Sequence, residues 1–312
     1  MEILDGKALS AKTKEEIRQK GTEEFLSKGK NPPCLACIIV GDNPASQTYV
    51  ASKEKACNAV GFGSIIKRLP ESSTKYDVIF EIEKLNEDPT VSAILLQLPL
   101  PDSLKEYEDE IINHISPEKD ADGLTYVSLG KLMSGKSDIA PCTAKGIIEL
   151  LDEYNIDIAG KNAVVMGRSL LVGKSVANLL EQRNATVTIC HSKTKDLEFY
   201  TKHADILVVA IGKEKYVKAE MVKDGAIVVD VGINRIEGKI VGDVDFENVC
   251  EKCSYITPVP GGVGPMTIAT LLTNTYKLAV LQEEKNKDSD LEQIYEKDLF
   301  ELVNYQNDSI DL

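Results

Sequence analysis

The stretch that most constrains this chain is Asn162 to Thr194, NAVVMGRSLLVGKSVANLLEQRNATVTICHSKT. Ala163 to Met166 is a short continuous apolar run, the pattern of a strand buried on both faces. Gly167-Arg168-Ser169 breaks the run, and Val172, Val176, Leu179 and Leu180 then recur at helical spacing. Ala185 to Cys190 forms a second β-branched run. Strand, turn, helix and strand in this length make a βαβ unit, which is half of a dinucleotide-binding fold.

The glycine pattern is not the usual GxGxxG, because Gly167 and Gly173 are separated by five residues. The physics is unchanged: Gly167 permits a strained turn, and free N–H groups at a helix start bind an anionic phosphate. An NAD-specific site places an acid after the second strand to hold the ribose hydroxyls. Here that strand runs into His191-Ser192-Lys193-Thr194, with Arg168 in the turn beside it. Arg, Ser and Lys suit a 2′-phosphate, so the expected cofactor is NADP. An ordinary βα turn with solvated charges accounts for the same residues, and one Gly-rich turn does not separate the two readings.

A length of 312 residues suggests two domains, each with its own core. The net charge of −14 argues against nucleic-acid binding, so any anionic ligand needs locally placed Lys and Arg. The opening MEILDGKALSAKTKEEI is too charged for a secretion signal, and no apolar run approaches a membrane span. With an odd count of seven cysteines, the expectation is a cytoplasmic protein with reduced thiols. Cys34/Cys37 and Cys250/Cys253 have a spacing that zinc can use. Cys34 and Cys37, however, lie in an apolar strand run where positions i and i+3 face opposite sides, which favours plain buried cysteines.

Along the first half, strands are expected at Cys34 to Val40, Ser64 to Leu69 and Val91 to Leu98, alternating with helices at Gly6 to Gly29, Ala45 to Val60, Lys75 to Leu85 and Ser103 to Ile112. That alternation indicates a parallel sheet with helices on its faces. Ser116 to Cys142 reads as loop, and Thr143 to Tyr154 as a connecting helix. Beyond the βαβ unit come strands at Ala204 to Ile211, Ala226 to Val231 and Ser254 to Thr257. A Pro/Gly-rich loop, Pro258 to Pro265, then opens a helix reaching Leu281. From Glu283 the chain is acidic and carries Leu291, Ile294, Tyr295, Leu299, Leu302 and Val303 at helical spacing, which fits an amphipathic helix or a frayed tail.

Three residues and one acidic loop carry candidate chemistry. Tyr49 and Lys53 are four apart on the second helix and so share a face, a plausible acid–base pair. A Tyr-x-x-x-Lys pair also marks the short-chain dehydrogenases, but there it follows the dinucleotide fold, and here it precedes it. Gln97 sits at the carboxyl end of an apolar strand, where ligands bind in open α/β sheets. Lys119-Asp120-Ala121-Asp122-Gly123 offers two carboxylates in a loop. Each also has a bland reading: an exposed Lys beside a half-buried Tyr, a solvated strand-end Gln, an Asp-Gly turn.

Together these stretches resemble the bifunctional methylenetetrahydrofolate dehydrogenase/cyclohydrolase family. The resemblance rests on Leu4 to Lys7, Val40 to Lys53, Gln97 to Pro101, Lys119 to Gly123, Pro141-Cys142-Thr143, Gly167-Arg168-Ser169 with Val172-Gly173-Lys174, Cys190-His191-Ser192, Asp230 to Asn234, Gly242 to Phe246 and Thr257 to Thr267, all in family order. It implies two α/β domains around a cleft: residues 1–142 with helix 265–282 for folate, 143–264 as a Rossmann-type NADP domain, and 283–312 as an extension. It implies a homodimer, with folate beside Tyr49, Lys53, Gln97, Leu98, Asp122 and the Pro260-Gly261-Gly262 loop. NADP is implied on Gly167, Arg168, Ser169, Ser192 and Ile233. Lys53 is implied as the main group of the hydrolytic step, held and tuned by Gln97 and Tyr49, with Asp122 on the pterin ring. No metal is expected.

The chain departs from the family at Tyr126, Ser128, Ala144 and Ser175, where Pro or Asn is usual. None of these is a catalytic position, so the conformation of the 124–130 loop is what they put in question. Two rival functions are a dehydrogenase that has lost its hydrolytic step and a silent folate- or nucleotide-binding protein. Retention of Lys53 counts against the first, and retention of all four chemical residues against the second.

Overall fold

The computed structural model describes the backbone of residues 1–236 and 238–308, with side chains as far as residue 287. In chain order the first half contains β1 (Glu2–Ile3), α1 (Gly6–Glu24), β2 (Cys34–Val40), α2 (Pro44–Ala59), β3 (Gly63–Leu69), α3 (Lys75–Glu87), β4 (Ala93–Leu96), α4 (Glu108–Ile112), α5 (Tyr126–Met133) and α6 (Cys142–Glu153). The second half contains β5 (Asn162–Met166), α7 (Ser175–Gln182), β6 (Thr186–Cys190), α8 (Leu197–Thr201), β7 (Ile206–Val209), β8 (Ile227–Asp230), β9 (Asn234–Ile236), β10 (Lys239–Val241), α9 (Phe246–Val249), β11 (Tyr255–Ile256) and α10 (Val263–Asp308). The class is α/β, as expected.

Two parallel sheets organise the molecule. The smaller has the order β3-β2-β4, extended by a single parallel bridge from Ile94 to Asp120. All seven residues of β2 are buried, which is why the run Cys34 to Val40 lacks polar alternation. Leu35, Ile38 and Ile39 among them each contribute roughly 1.5–3 kcal/mol by leaving water. The larger sheet has the order β1-β11-β8-β7-β5-β6. Its order reverses at β5, with β6 on one side and β7 on the other, and this is the switch point where α/β sheets bind ligands.

Helices α6 and α10 join the two halves. Gly146 lets them approach closely, since a Cβ there would lie 3.0 Å from the Met266 side chain. Ala144, one of the family departures, is fully buried in the core that α6 and α10 share with the larger sheet.

Three features differ from the sequence expectations. First, β1 is a two-residue strand paired in parallel with β11, so the amino terminus belongs to the larger sheet. Second, Ser116 to Cys142 is not all loop, because α5 forms within it. Thr125 caps α5: its hydroxyl accepts from the Ser128 amide at 3.2 Å and donates to the Ser128 hydroxyl at 2.9 Å. Ser128 is thus buried, while Tyr126 faces solvent. Third, β9 and β10 form a hairpin where none was expected. The backbone of the extension continues α10 to Asp308; the amphipathic face expected between Leu291 and Val303 lies outside the described side chains.

Candidate active site

The site is assembled at the carboxyl ends of both sheets. Asn43 caps α2, its side-chain oxygen accepting from the amides of Ala45 at 3.0 Å and Ser46 at 3.2 Å, with Pro44 in the first turn. That cap aims α2 so that Tyr49 and Lys53 lie one turn apart along the same cavity wall. The strand β2 delivers α2, and β4 pairs with β2 in parallel, so Gln97 emerges just past the end of β4 on the same edge. Its own amide is held by the Ile38 carbonyl at 2.8 Å.

Lys53 Nζ donates to Gln97 Oε1 at 2.9 Å, and Gln97 Nε2 donates to the Leu98 carbonyl at 2.6 Å. An ammonium only donates, so the Gln97 oxygen must face it, which fixes the amide orientation. Gln97 is 8% exposed, so this is a sheltered contact. Tyr49 is 39% exposed, at the mouth.

The two carboxylates of the 119–123 loop have separate duties. Asp120 is buried and folds back on its own loop, accepting from the amides of Leu124 at 3.2 Å and Thr125 at 2.8 Å. Lys119 is also structural, its ammonium donating to the carbonyls of Leu85 at 3.0 Å and Asp88 at 2.7 Å. Asp122 alone lines the cavity. Burial raises its pKa above the ordinary carboxylate value, while the Lys53 charge and the Cys142 thiol pull it back and Asp120 adds to the rise. Cys142 is buried beside it, and burial together with the Asp122 charge pushes the thiol pKa far up, so it stays an S–H group. Asn274 on α10 supports this wall from behind: its Nδ2 donates to the carbonyls of Ala121 at 3.0 Å and Ala140 at 3.1 Å.

These residues enclose a cavity of about 340 Å³. Tyr49, Lys53, Gln97, Leu98, Asp122 and Cys142 form one wall. Leu171, Val172, Val231 and Ile233, from loops of the larger sheet, form the opposite wall. Gly264, Thr267, Ile268 and Leu271 on α10 close the base. Pro260, Gly261 and Gly262 do not line the cavity. The Gly261 carbonyl instead accepts from the Lys7 amide at 2.9 Å, and a Cβ on Gly6 would lie 1.8 Å from the Gly262 oxygen. The loop is braced against the start of α1 and aims Val263 and Gly264 inward. The α10 face was missed from sequence; its signal was the spacing of Gly264, Thr267 and Leu271, which an ordinary core face shares.

The turn after β5 fits a dinucleotide. Gly167 has φ +121°, and a Cβ there would lie 2.2 Å from the Ala210 carbonyl, so only glycine lets the chain turn here. A π-helical turn, Leu170–Lys174, follows, capped by Ser169, whose hydroxyl accepts from Val172 at 3.3 Å and Gly173 at 3.5 Å. Ser175, another departure, donates its hydroxyl to the Leu170 carbonyl and steadies that turn. Met166 and Cys190 are register partners, so Arg168 and Ser192 lie just past the ends of adjacent strands. Both are exposed, and Arg168 makes no hydrogen bond or ion pair among the described residues. The sequence-expected groups therefore separate into a cavity set and a turn set, with Ile233, 47% exposed, reaching the cavity from the second.

Comparison with known proteins agrees with this geometry. Residues 4–122 match the model of the tetrahydrofolate dehydrogenase/cyclohydrolase catalytic domain, and residues 141–283 match that family's NAD(P)-binding domain. The chain is 56% identical over 280 residues to the bifunctional protein FolD of Campylobacter hominis, covering 89% of this chain and 97% of that one. The crystal structure of the bifunctional FolD enzyme of Campylobacter jejuni superposes with a TM-score of 0.87 at 52% identity, covering 90% and 99%. That of the Trypanosoma brucei enzyme, complexed with NADP and an inhibitor, gives 0.85 at 37% identity, covering 90% and 97%. On its own sequence and fold, the chain belongs to the tetrahydrofolate dehydrogenase/cyclohydrolase family.

Proposed function

We propose that this chain is a bifunctional one-carbon folate enzyme. It oxidises 5,10-methylenetetrahydrofolate to the 5,10-methenyl compound with NADP, then hydrolyses that cation to 10-formyltetrahydrofolate. The observation that carries this reading is the Lys53–Gln97 hydrogen bond inside a cavity whose facing wall belongs to the sheet bearing the Gly167 turn. Residues 1–142 with helix 265–282 serve folate, residues 143–264 serve NADP, and 283–312 lies outside both.

NADP, when bound, supplies the hydride acceptor. Gly167, Arg168, Ser169 and Ser192 hold its phosphates, and Ile233 packs near the reacting ring. Arg168 favours the 2′-phosphate, since an unpaired guanidinium there makes charge-assisted bonds. The hydride step asks the protein mainly for alignment, which Asp122 supplies by accepting N–H bonds from the pterin edge.

In the hydrolytic step water adds to the methenyl carbon and the bond from that carbon to N5 breaks. Both protons leave the water oxygen as it becomes the formyl carbonyl: one reaches the released N5 and the other is lost to solvent. Lys53 is placed to relay them; Gln97 holds its amine, and Tyr49 closes the mouth. A dehydrogenase without hydrolysis would have no use for the Lys53–Gln97 pair.

The same reading includes a homodimer and a reducing, cytoplasmic setting. In support, the edge strand β6 exposes Ile189, helix α8 next to it exposes Phe199, and all seven cysteines are free thiols. No helix among the described residues is long and apolar enough to cross a membrane.

The test is purified protein with methylenetetrahydrofolate and NADP, followed by absorbance for NADPH and for the methenyl intermediate. NADPH formation with hydrolysis of added methenyltetrahydrofolate is expected. NADPH formation without hydrolysis would leave a monofunctional dehydrogenase, and neither activity would leave a binding protein.

A further inference from the structure

We propose that Asp243 is a positioning residue for hydride transfer: its buried carboxylate locks the loop after β7 to the loop after β8 and so fixes Ile233 against the cavity. The inference rests on the NADP reading above and gives a role to residues that lie in the matching stretches but had none.

Beyond the ends of parallel strands the ladder hydrogen bonds stop, and the backbone N–H groups there need other acceptors. Asp243 provides them. It is fully buried, and its Oδ2 accepts from the amides of Ile211 at 2.7 Å and Gly212 at 2.9 Å. Its Oδ1 accepts from the Lys213 amide at 2.8 Å and from Asn234 Nδ2 at 2.9 Å. Three bonds gather the loop after β7, and the fourth reaches the residue next to Ile233. Four donors converge on one carboxylate, and two segments distant in sequence are tied through it.

Asp230 repeats the device one step deeper. Its carboxylate accepts from the amides of Gly232, Asp243 and Val244, each at 2.9 Å, which seats Asp243 itself. Both carboxylates lie directly on glycine. A Cβ on Gly232 would be 2.3 Å from the Asp243 carboxyl carbon, and one on Gly242 would be 1.8 Å from Asp230 Oδ2. Asp243 and Asn234 do not line the cavity, whereas Val231 and Ile233 do. Asp243 therefore acts through the loop, not on the reacting atoms.

A bifunctional enzyme carries its own control, because hydrolysis of added methenyltetrahydrofolate needs no NADP. Asn234→Ala removes the tie to the β8 loop while leaving the three backbone donors of Asp243 satisfied. Asp243→Asn turns an NH2 toward two N–H donors. Three quantities are read: the NADPH dissociation constant by fluorescence titration, dehydrogenase KM and kcat, and hydrolysis without NADP. Asn234→Ala is expected to weaken NADPH and lower dehydrogenase kcat/KM about 10-fold, as for one lost bond to a charged group, with hydrolysis within about two-fold of the parent. Asp243→Asn should show a larger loss with the same split. Parental NADPH affinity and dehydrogenase rate in Asn234→Ala would overturn the inference. So would a parallel loss of both activities, which marks a purely structural role. If Asp243→Asn does not fold, Asn234→Ala alone decides. A parent protein that binds no NADPH would instead overturn the cofactor reading.

Discussion

Replacing Lys53 with methionine isolates the hydrolytic step. The substitution keeps most of the side-chain length and removes the amine that donates to Gln97 at 2.9 Å. Two losses follow. The Gln97 oxygen, on a residue 8% exposed, is left without its donor, at a cost of roughly 1–3 kcal/mol in local order. The proton relay is removed outright; a well-placed acid–base group is worth about 10²–10⁴-fold, or roughly 3–5 kcal/mol of barrier. Hydrolysis of methenyltetrahydrofolate, followed by the decay of its absorbance without NADP, should fall by that factor. Dehydrogenase activity needs only alignment and should survive in part, so with methylenetetrahydrofolate and NADP the methenyl compound should accumulate. Folate and NADPH binding should remain. Hydrolysis at the parental rate in a folded Lys53→Met protein would refute the argument and return Tyr49 or a bound water as the relay.

Arg168→Ala should weaken NADP by roughly 1.5–3 kcal/mol while leaving NAD nearly unchanged, as read by paired cofactor titrations; equal losses would contradict the 2′-phosphate assignment. Asp122→Ala should depress both activities with NADPH affinity retained, and a chelator should leave the parent unaffected; loss on chelation with rescue by a divalent ion would make Asp122 a metal ligand instead. Truncation after Lys287 should leave turnover per folded molecule near the parent value, because the family match ends at residue 283; a folded but inactive truncate would place function in the extension. Burial raises the Asp230 pKa to about 6, only partly offset by the amides of Asp243, Val244 and Gly232. The native state then binds more protons than the unfolded chain, so Asp230 should lower stability by ~3 kcal/mol as pH rises from about 4 to about 6. Urea midpoints across that range should show the slope in the parent and its loss in Asp230→Asn; identical slopes would exclude it.

The sequence by itself determined the class of the fold and the chemical vocabulary of the site. A strand buried on both faces has to be apolar throughout, so Cys34 to Val40 and Ala163 to Met166 announce parallel sheets without any partner being known. Four-residue spacing on a helix is local geometry, so Tyr49 and Lys53 were certain to share a face. Gly167 was legible because the steric demand of its turn is met within a few residues, and its conformation leaves almost no alternative.

Only the tertiary structure decided what those residues meet. A two-residue strand has no periodicity, so nothing in Glu2–Ile3 foretold its pairing with β11. Asp120 and Asp122 are the same residue type two positions apart, yet the chain leaves its bridge to Ile94 at Asp120 and turns at Gly123, so one carboxylate folds into its own loop and the other lines the cavity. Pro260 to Gly262 stood out as a motif, yet they brace α1 while Val263 and Gly264 reach the cavity. The Lys53–Gln97 bond joins residues 44 positions apart, and Asp243 gathers amides 30 to 32 positions upstream. Such contacts are set by how parallel strands align their carboxyl ends, a relation between segments that composition and spacing do not encode.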